Sequence, residues 1–243
     1  MKTALLLGAG SSIAQAIARS LAQQGYALQL AARDTSALEP FASDLKLKYT
    51  LPVTLHTLDA RAYASHSEFY ENLPVFPEVI ICAVGYLGDQ PFGEKNWAEA
   101  ENIIECNYTG PVSLLNIAAE KMQLKKAGVI IGISSVAGER GRASNYLYGS
   151  AKAGFTAYLS GLRNRLYPLG IRVITLKPGF VYSKMTEHLT LPPRLTASPE
   201  QVAKAVIKNL SSGSEIIYVK PIWAIIMTII RLIPEFIFKK LKL

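Results

Sequence analysis

Cysteine is scarce in this chain. Cys82 and Cys106 are the only two among 243 residues, both in apolar surroundings and without metal-ligand spacing. That excludes a disulfide framework and a structural zinc site, and predicts reduced core thiols in a cytoplasmic setting. Histidine is nearly as rare, and no metal site is expected. His56 and His66 read as surface residues, while His188 is the histidine best placed to reach a site. The N-terminus reads as lacking a signal peptide, because Leu5-Leu6-Leu7 is too short an apolar run and Gly8 starts a turn. Acidic residues are outnumbered, 18 against 26 basic, for a net charge of +8. Such a balance admits nucleic acid, a membrane surface or anionic ligands. No nucleic-acid motif is present, nor any Arg/Lys cluster interleaved with exposed aromatics, so no nucleic-acid partner is expected. There is no internal repeat, low-complexity tract or interdomain linker. Half of the residues are hydrophobic and 18% are charged, which argues against disorder and leaves ample chain for one buried core.

What is present is alternation. Short β-like runs (Thr3–Leu7, Ala27–Ala32, Val53–Leu58, Glu78–Val84, Val129–Ile133, Arg172–Leu176, Glu215–Val219) alternate with helical stretches at 14–24, 35–48, 63–73, 97–125, 148–167 and 199–210. Ser198 and Pro199 supply the cap and first residue of the last of these. The pattern predicts an α/β fold with a parallel sheet and helices on both faces, over residues 1–220. An apolar-basic tail follows at 221–243.

After the first strand, Gly8-Ala9-Gly10-Ser11-Ser12-Ile13-Ala14 leads into an Ala-rich helix that Gly25 closes. Strand, small-residue turn and helix N-terminus together make an anion site suited to a pyrophosphate. The alternative is a tight turn without a ligand. The turn departs from G-x-G-x-x-G, carrying Ser12 and Ala14 where glycine is usual. Arg33-Asp34 ends the second strand, about where a dinucleotide fold tests the adenosine ribose. An arginine there pairs with a 2′-phosphate and an acid accepts the 2′-OH. Arg33 comes first and favours NADP(H); Asp34 beside it leaves NAD(H) open. Gly85 to Gln90 follow as a loop at the end of the fourth strand, where ligands bind in open parallel sheets, which makes Ala83, Val84 and Gly85 cofactor-binding candidates.

The strand at 129–133 ends in two hydroxyls, Ser134 and Ser135. Thirteen residues beyond Ser135 comes Tyr148, and four beyond that Lys152, on one face of the 148–167 helix. An ammonium one turn away would stabilise the phenolate and lower the phenol's acidity constant from its usual value near 10, so that Tyr148 serves as a general acid-base. A serine hydroxyl can hold a substrate carbonyl or alkoxide. The plain alternative is a surface Tyr and Lys with a serine in a turn. Asn107 sits in the apolar 97–125 helix, where a hydrogen-bonded structural role is the alternative to a catalytic one. Residues 184–199 read as a flap on the substrate side. The tail runs apolar from Ile222 to Ile230 and on to Phe238, interrupted by Arg231 and Pro234, then brings Lys239, Lys240 and Lys242. It falls short of the roughly 20 residues a spanning helix needs. Two readings stay open: an interfacial helix with a basic end at a membrane surface, and a cover for the core or a subunit interface.

Taken together, the Gly8 turn, Asn107, Ser135, Tyr148, Lys152 and Pro178-Gly179 resemble the short-chain dehydrogenase/reductase family, classical type, over roughly residues 3 to 219. The resemblance implies a Rossmann-type sheet of about seven strands. It implies a catalytic tetrad of Asn107, Ser135, Tyr148 and Lys152, with Tyr148 as acid-base, Ser135 holding the reacting oxygen and Lys152 binding the nicotinamide ribose. Asn107 would support a water leading to bulk. Pro178, Gly179, Val181 and Ser183 would border the nicotinamide, and Asp59 and Ala60 the adenine. A homodimer or homotetramer is also implied, with helices 97–125 and 148–167 as candidate interfaces. Where the family usually carries Asn-Asn-Ala-Gly, this chain has Cys82-Ala83-Val84-Gly85, which puts local sheet support in question. A narrower likeness, carried by Val84 to Gln90, the small-residue turn and the tail, is to the keto-reductases that partner decaprenylphosphoryl-ribose 2′-epimerases, which reduce a keto group on a polyprenyl-phosphate-linked pentose. The expected substrate is then a small-molecule or lipid-linked carbonyl compound, handled in the cytoplasm or at the inner face of a membrane. A generic ketone, 3-oxoacyl or steroid-like substrate competes with it, and a non-catalytic dinucleotide-binding sensor or scaffold is the alternative from another class.

Overall fold

A computed structural model of the chain describes residues 1–187, 189–210 and 213–241. His188, expected to reach a site, and Lys242, part of the basic tail, lie outside the described residues. In chain order the elements are β1 (Thr3–Leu7), α1 (Ser12–Gln23), β2 (Ala27–Ala32), α2 (Glu39–Tyr49), β3 (Val53–Thr57), α3 (His66–Glu71), β4 (Val79–Cys82), α4 (Gln90–Gly93), α5 (Trp97–Ile104), α6 (Gly110–Lys125), β5 (Val129–Ile133), α7 (Tyr146–Leu166), β6 (Arg172–Pro178), α8 (Pro199–Leu210), β7 (Ile216–Val219), α9 (Ile222–Leu232) and α10 (Glu235–Phe238).

The strands form one seven-stranded sheet in the order β3-β2-β1-β4-β5-β6-β7, every pair parallel. Parallel strands need helical crossovers, which cover both faces, so strands such as β4 (Val-Ile-Ile-Cys) are apolar throughout. All five residues of β1 are buried. Leu6, Ile81 and Ile131 face one core layer, with α1, α2 and α8; Leu5, Ile80 and Ile130 face the other, with α6 and α7. The strand order reverses at β1, which pairs with both β2 and β4, and a crevice opens beyond the carboxyl ends of the strands there. The Cys82-Ala83 departure costs no pairing, since the Ala83 N–H donates to the Leu7 carbonyl at 2.8 Å.

Two expectations fail in instructive ways. Residues 97–125 are not one helix: a π-helical turn, Glu105–Thr109, separates α5 from α6. Pro111 has no N–H to give the carbonyl of Asn107, four residues back, so the regular ladder cannot continue through that point. His66, expected at the surface, is fully buried. It bonds Ser113 Oγ at 2.9 Å and the Asp59 carbonyl at 3.2 Å, which ties α3 to α6 and to the loop after β3. His56 is half-buried, with its Nε2 2.7 Å from Thr54 Oγ1.

The tail folds back. Trp223 and Met227 of α9 are buried beside Val136, just after Ser135, with Phe180 and Leu195 packed around them. Arg140 holds the end of α9, donating to the carbonyls of Ile230 at 3.0 Å and Ile233 at 2.6 Å and pairing with Glu235 at 2.7 Å. Its guanidinium also lies 3.9 Å from the Phe238 ring centre. The opposite face leaves Ile225, Ile229, Leu232 and Phe236 exposed. No helix among the described residues is long and apolar enough to cross a membrane.

Candidate active site

A cleft of about 920 Å³ opens along the carboxyl ends of the strands. It is lined by Gly8, Gly10, Ser11, Ser12, Ile13, Arg33, Asp59, Ala60, Ala83, Val84, Gly85, Ser135, Tyr148, Lys152, Pro178, Gly179, Val181 and Ser183. Asn107 is completely buried and does not line this wall.

The end of the cleft at the β1–α1 turn is built by backbone. Gly8 has φ +82°, and a Cβ there would lie 2.8 Å from the Val84 nitrogen, so both conformation and space demand glycine. At Gly10 a Cβ would meet nothing within 4 Å, so the backbone at that point is open to an approaching group. Ser11 caps α1, its Oγ accepting from the Ala14 N–H at 3.0 Å. The N–H groups of Ser12 and Ile13 lie in the first turn, where no helical carbonyl precedes them. Those donors and the helix dipole fit a pyrophosphate. Of the two residues that stand in place of glycine, Ala14 is buried in the core and Ser12 lines the cleft.

At the adenosine end Arg33 and Asp34 behave differently. Asp34 turns back on its own chain, where Oδ1 accepts from the Ser36 hydroxyl at 2.5 Å and the Ser36 N–H at 3.0 Å. These bonds hold its carboxyl below the usual range. Arg33 is exposed at the cleft and has no ion pair among the described residues. Asp59 and Ala60 are fixed from behind by His66, which contacts the Asp59 carbonyl.

At the other end, Ser134 and Ser135 divide the work. Ser134 Oγ donates to the Lys152 carbonyl at 3.0 Å and sits 2.6 Å from Thr156 Oγ1, pinning α7 to the end of β5. Ser135 Oγ accepts from the Ala137 N–H at 3.1 Å and is hydrogen-bonded to Tyr148. Lys152 is buried, with Nζ donating to the Ile133 carbonyl at 3.1 Å and lying 5.8 Å from the Tyr148 ring centre. Burial pushes the ammonium down to about 8. The expected acidification of Tyr148 does not arise from the protein's own groups. Loss of hydration dominates and drives the phenol up to about 12, with the Ser135 bond opposing it. The phenol is therefore held as a proton donor, which suits reduction of a carbonyl.

Asn107 is completely buried in the π turn. Its Nδ2 donates to the carbonyls of Tyr86 at 2.5 Å and Ile103 at 2.8 Å, and Oδ1 accepts from the Tyr86 N–H at 3.2 Å. The amide thus clamps the loop that carries Gly85. Cys82 is a core thiol, pushed to about 11 by burial, whereas Cys106 is half-buried at the cleft edge.

Sequence reasoning missed several wall residues: Arg142, Asn145, Phe180 and Trp223. A Cβ on Gly179 would overlap the Trp223 indole, at 2.0 Å, so the tail lies directly on the Pro178-Gly179 turn. No local pattern announces such a contact between residues so far apart in the chain.

The short chain dehydrogenase family model matches residues 2–193. An oxidoreductase of Mycobacterium tuberculosis, described as uncharacterized, is 35% identical over 244 residues, covering 98% of this chain and 96% of its own. Among solved structures, an alcohol dehydrogenase from Thermococcus sibiricus complexed with 5-hydroxy-NADP is 26% identical with a TM-score of 0.79, over 90% of this chain and 95% of that one. A short-chain dehydrogenase from Sphingobium yanoikuyae in complex with NADPH has a TM-score of 0.83 at 20% identity, with 97% of each chain covered, which bears on the fold alone.

Proposed function

This chain belongs to the short-chain dehydrogenase family, and from that premise we propose that it reduces a ketone to a secondary alcohol with NADPH, the ketone being carried on a polyprenyl-phosphate-linked sugar. It is an NAD(P)-dependent oxidoreductase. The observation that carries the reading is the meeting of Ser135, Tyr148 and Lys152 in one cleft wall, with a backbone-built phosphate cradle and Arg33 further along it.

The residues divide the chemistry as follows. The bound nicotinamide supplies the hydride. Tyr148, its phenol held protonated by burial, delivers a proton to the carbonyl oxygen. Ser135 offers its hydroxyl to that same oxygen, so that developing negative charge meets fixed donors rather than reorganising water. Lys152, a cation up to about pH 8, holds a ribose hydroxyl and keeps positive charge near the phenol as its proton leaves. The Ser12 and Ile13 N–H groups take the pyrophosphate. Arg33 takes the 2′-phosphate, while Oδ1 of its neighbour Asp34 is engaged by the Ser36 hydroxyl and N–H. The NADP-derived ligand in the Thermococcus relative supports this cofactor choice.

The lipid-linked substrate is supported by the tail. An apolar face with Ile225, Ile229, Leu232 and Phe236 exposed, and basic Arg231, Lys239 and Lys240 beside it, suits the surface of an anionic bilayer, while the inner face lines the cleft through Trp223. The apolar wall of Leu87, Phe180, Met185 and Leu189 also suits a generic hydrophobic ketone, which is the second reading. NADPH oxidation by the full chain against a carbonyl panel that includes prenyl-phosphate keto-sugars separates the two. A preference for the lipid-linked sugar, with co-sedimentation of the protein on anionic liposomes, is the expected result. Turnover of free ketones alone, without sedimentation, overturns it.

A further inference from the structure

The segment 139–142, between Ser135 and Tyr148, carries three charged side chains with contrasting surroundings. Glu139 is paired: Oε1 accepts from Lys177 Nζ at 2.5 Å and the Tyr218 hydroxyl at 2.8 Å, while Oε2 lies in ion-pair range of Arg231, at 3.3 Å, without a hydrogen bond of its own. Arg140 is committed to the tail carbonyls and Glu235. Arg142 has no carboxylate within ion-pair distance among the described residues. Among the described residues one of its five N–H donors has a partner, on Nη2, which reaches the Met227 sulfur at 3.4 Å. A thioether is a weak, neutral acceptor, so α9 positions this guanidinium without neutralising it.

A buried donor left unmet is destabilising, and more so when it is charged. Arg142 Nε is buried without a partner, and so, three residues on, is Asn145 Oδ1. Both residues line the cleft that holds Tyr148. Burial also drags the guanidinium below its ordinary value, with no acid to restore it. Asp89, a carboxylate on the same wall, is occupied as the cap of α4, accepting from the Phe92 N–H at 2.9 Å. Lys184, exposed on the flap, adds a second cation to the rim. The cleft lining therefore includes a positive fork with no carboxylate paired to it among the described residues.

We propose that Arg142 binds a phosphate ester on the substrate. The planar fork matches two phosphate oxygens at once. The inference deepens the carbonyl-reductase reading and rests on it for the site's role. The phosphate can belong to a lipid-linked sugar or to a free sugar phosphate, and the test tells them apart.

The test compares dihydroxyacetone phosphate with dihydroxyacetone as substrates of the full chain, for wild type, Arg142→Met and Arg142→Lys. In Arg142→Met the ratio of kcat/KM for the phosphorylated over the neutral ketone is expected to fall about 10- to 100-fold, through KM, with Arg142→Lys intermediate. Equal losses on both ketones overturn the proposal. In parallel, dihydroxyacetone phosphate and farnesyl phosphate are titrated calorimetrically into the protein saturated with NADP⁺, which fills the cofactor's own phosphate sites. Binding that weakens at least tenfold in Arg142→Met supports the assignment, and the tighter of the two ligands identifies the source. Binding indifferent to Arg142 overturns it. Retained Arg142-dependent binding without NADPH oxidation on any carbonyl would refute the reductase reading and leave the anion site standing. Unchanged thermal midpoints show that the variants fold.

Discussion

The two ends of the cleft are built from different materials. The phosphate end is made of consecutive residues, Gly8 to Ile13, whose donors are backbone N–H groups and whose critical property is the absence of a side chain. The substrate end is made of side chains brought from β5, α7, the turn after β6 and the C-terminal α9. A backbone cradle recognises what every dinucleotide has, whereas a wall assembled from distant side chains can be altered one residue at a time. Common chemistry thus sits on local sequence, and individuality sits on tertiary contact.

The sharpest way to test that division is to remove one atom from the substrate end. Tyr148→Phe deletes the hydroxyl that Ser135 contacts and leaves the phosphate cradle untouched. Removing a positioned general acid costs about 10² to 10⁴ in rate. The variant is expected to lose about a thousandfold in kcat while binding NADPH with a Kd within about twofold of wild type, measured by fluorescence titration. Substantial residual turnover breaks the assignment. A parallel loss of NADPH affinity breaks the division between the two ends.

Lys152 gives a smaller and more graded effect. Burial lowers its acidity constant to about 8, so the cation is present below that pH and is lost as pH rises through it. Tyr148, at about 12, keeps its proton throughout the range. The kcat/KM for ketone reduction should therefore fall tenfold per pH unit above about 8. Arginine stays charged there, so Lys152→Arg should abolish that limb while working more slowly because its planar fork does not reproduce the compact ammonium. A limb that persists in this variant belongs to some other group.

How much of this was readable in the sequence follows the same line. The strand-turn-helix at Gly8, the Ser135–Tyr148–Lys152 spacing and the alternation of strands with helices are local or periodic, and they appear in the structure where the spacing put them. The interrupted 97–125 helix could have been anticipated from Pro111, since its missing N–H falls opposite the carbonyl of Asn107. Burial of His66 could not, because it depends on Ser113 and the Asp59 carbonyl arriving from other elements. Nor could the state of Tyr148. The neighbouring lysine was visible, but the surrounding desolvation that outweighs it is a property of the packed wall. The tail offered two readings, and its inner face covers Gly179 and Val136 while its outer face stays exposed, so one helix serves as cover on one side and leaves an apolar stripe on the other.

The smallest expected effect discriminates between two adjacent residues at the adenosine end. If Arg33 reads a 2′-phosphate, Arg33→Ala removes a charge-assisted pair, and KM for NADPH should rise about tenfold while KM for NADH moves less than about twofold. Asp34 offers the opposite specificity, yet its Oδ1 is already engaged by the Ser36 hydroxyl and N–H. Asp34→Asn should consequently leave both KM values within about twofold. If instead Asp34→Asn weakens NADH selectively, the carboxylate leaves its local bonds to accept the ribose hydroxyl. The backbone-built end of the cleft would then carry a side-chain choice as adaptable as any at the other end.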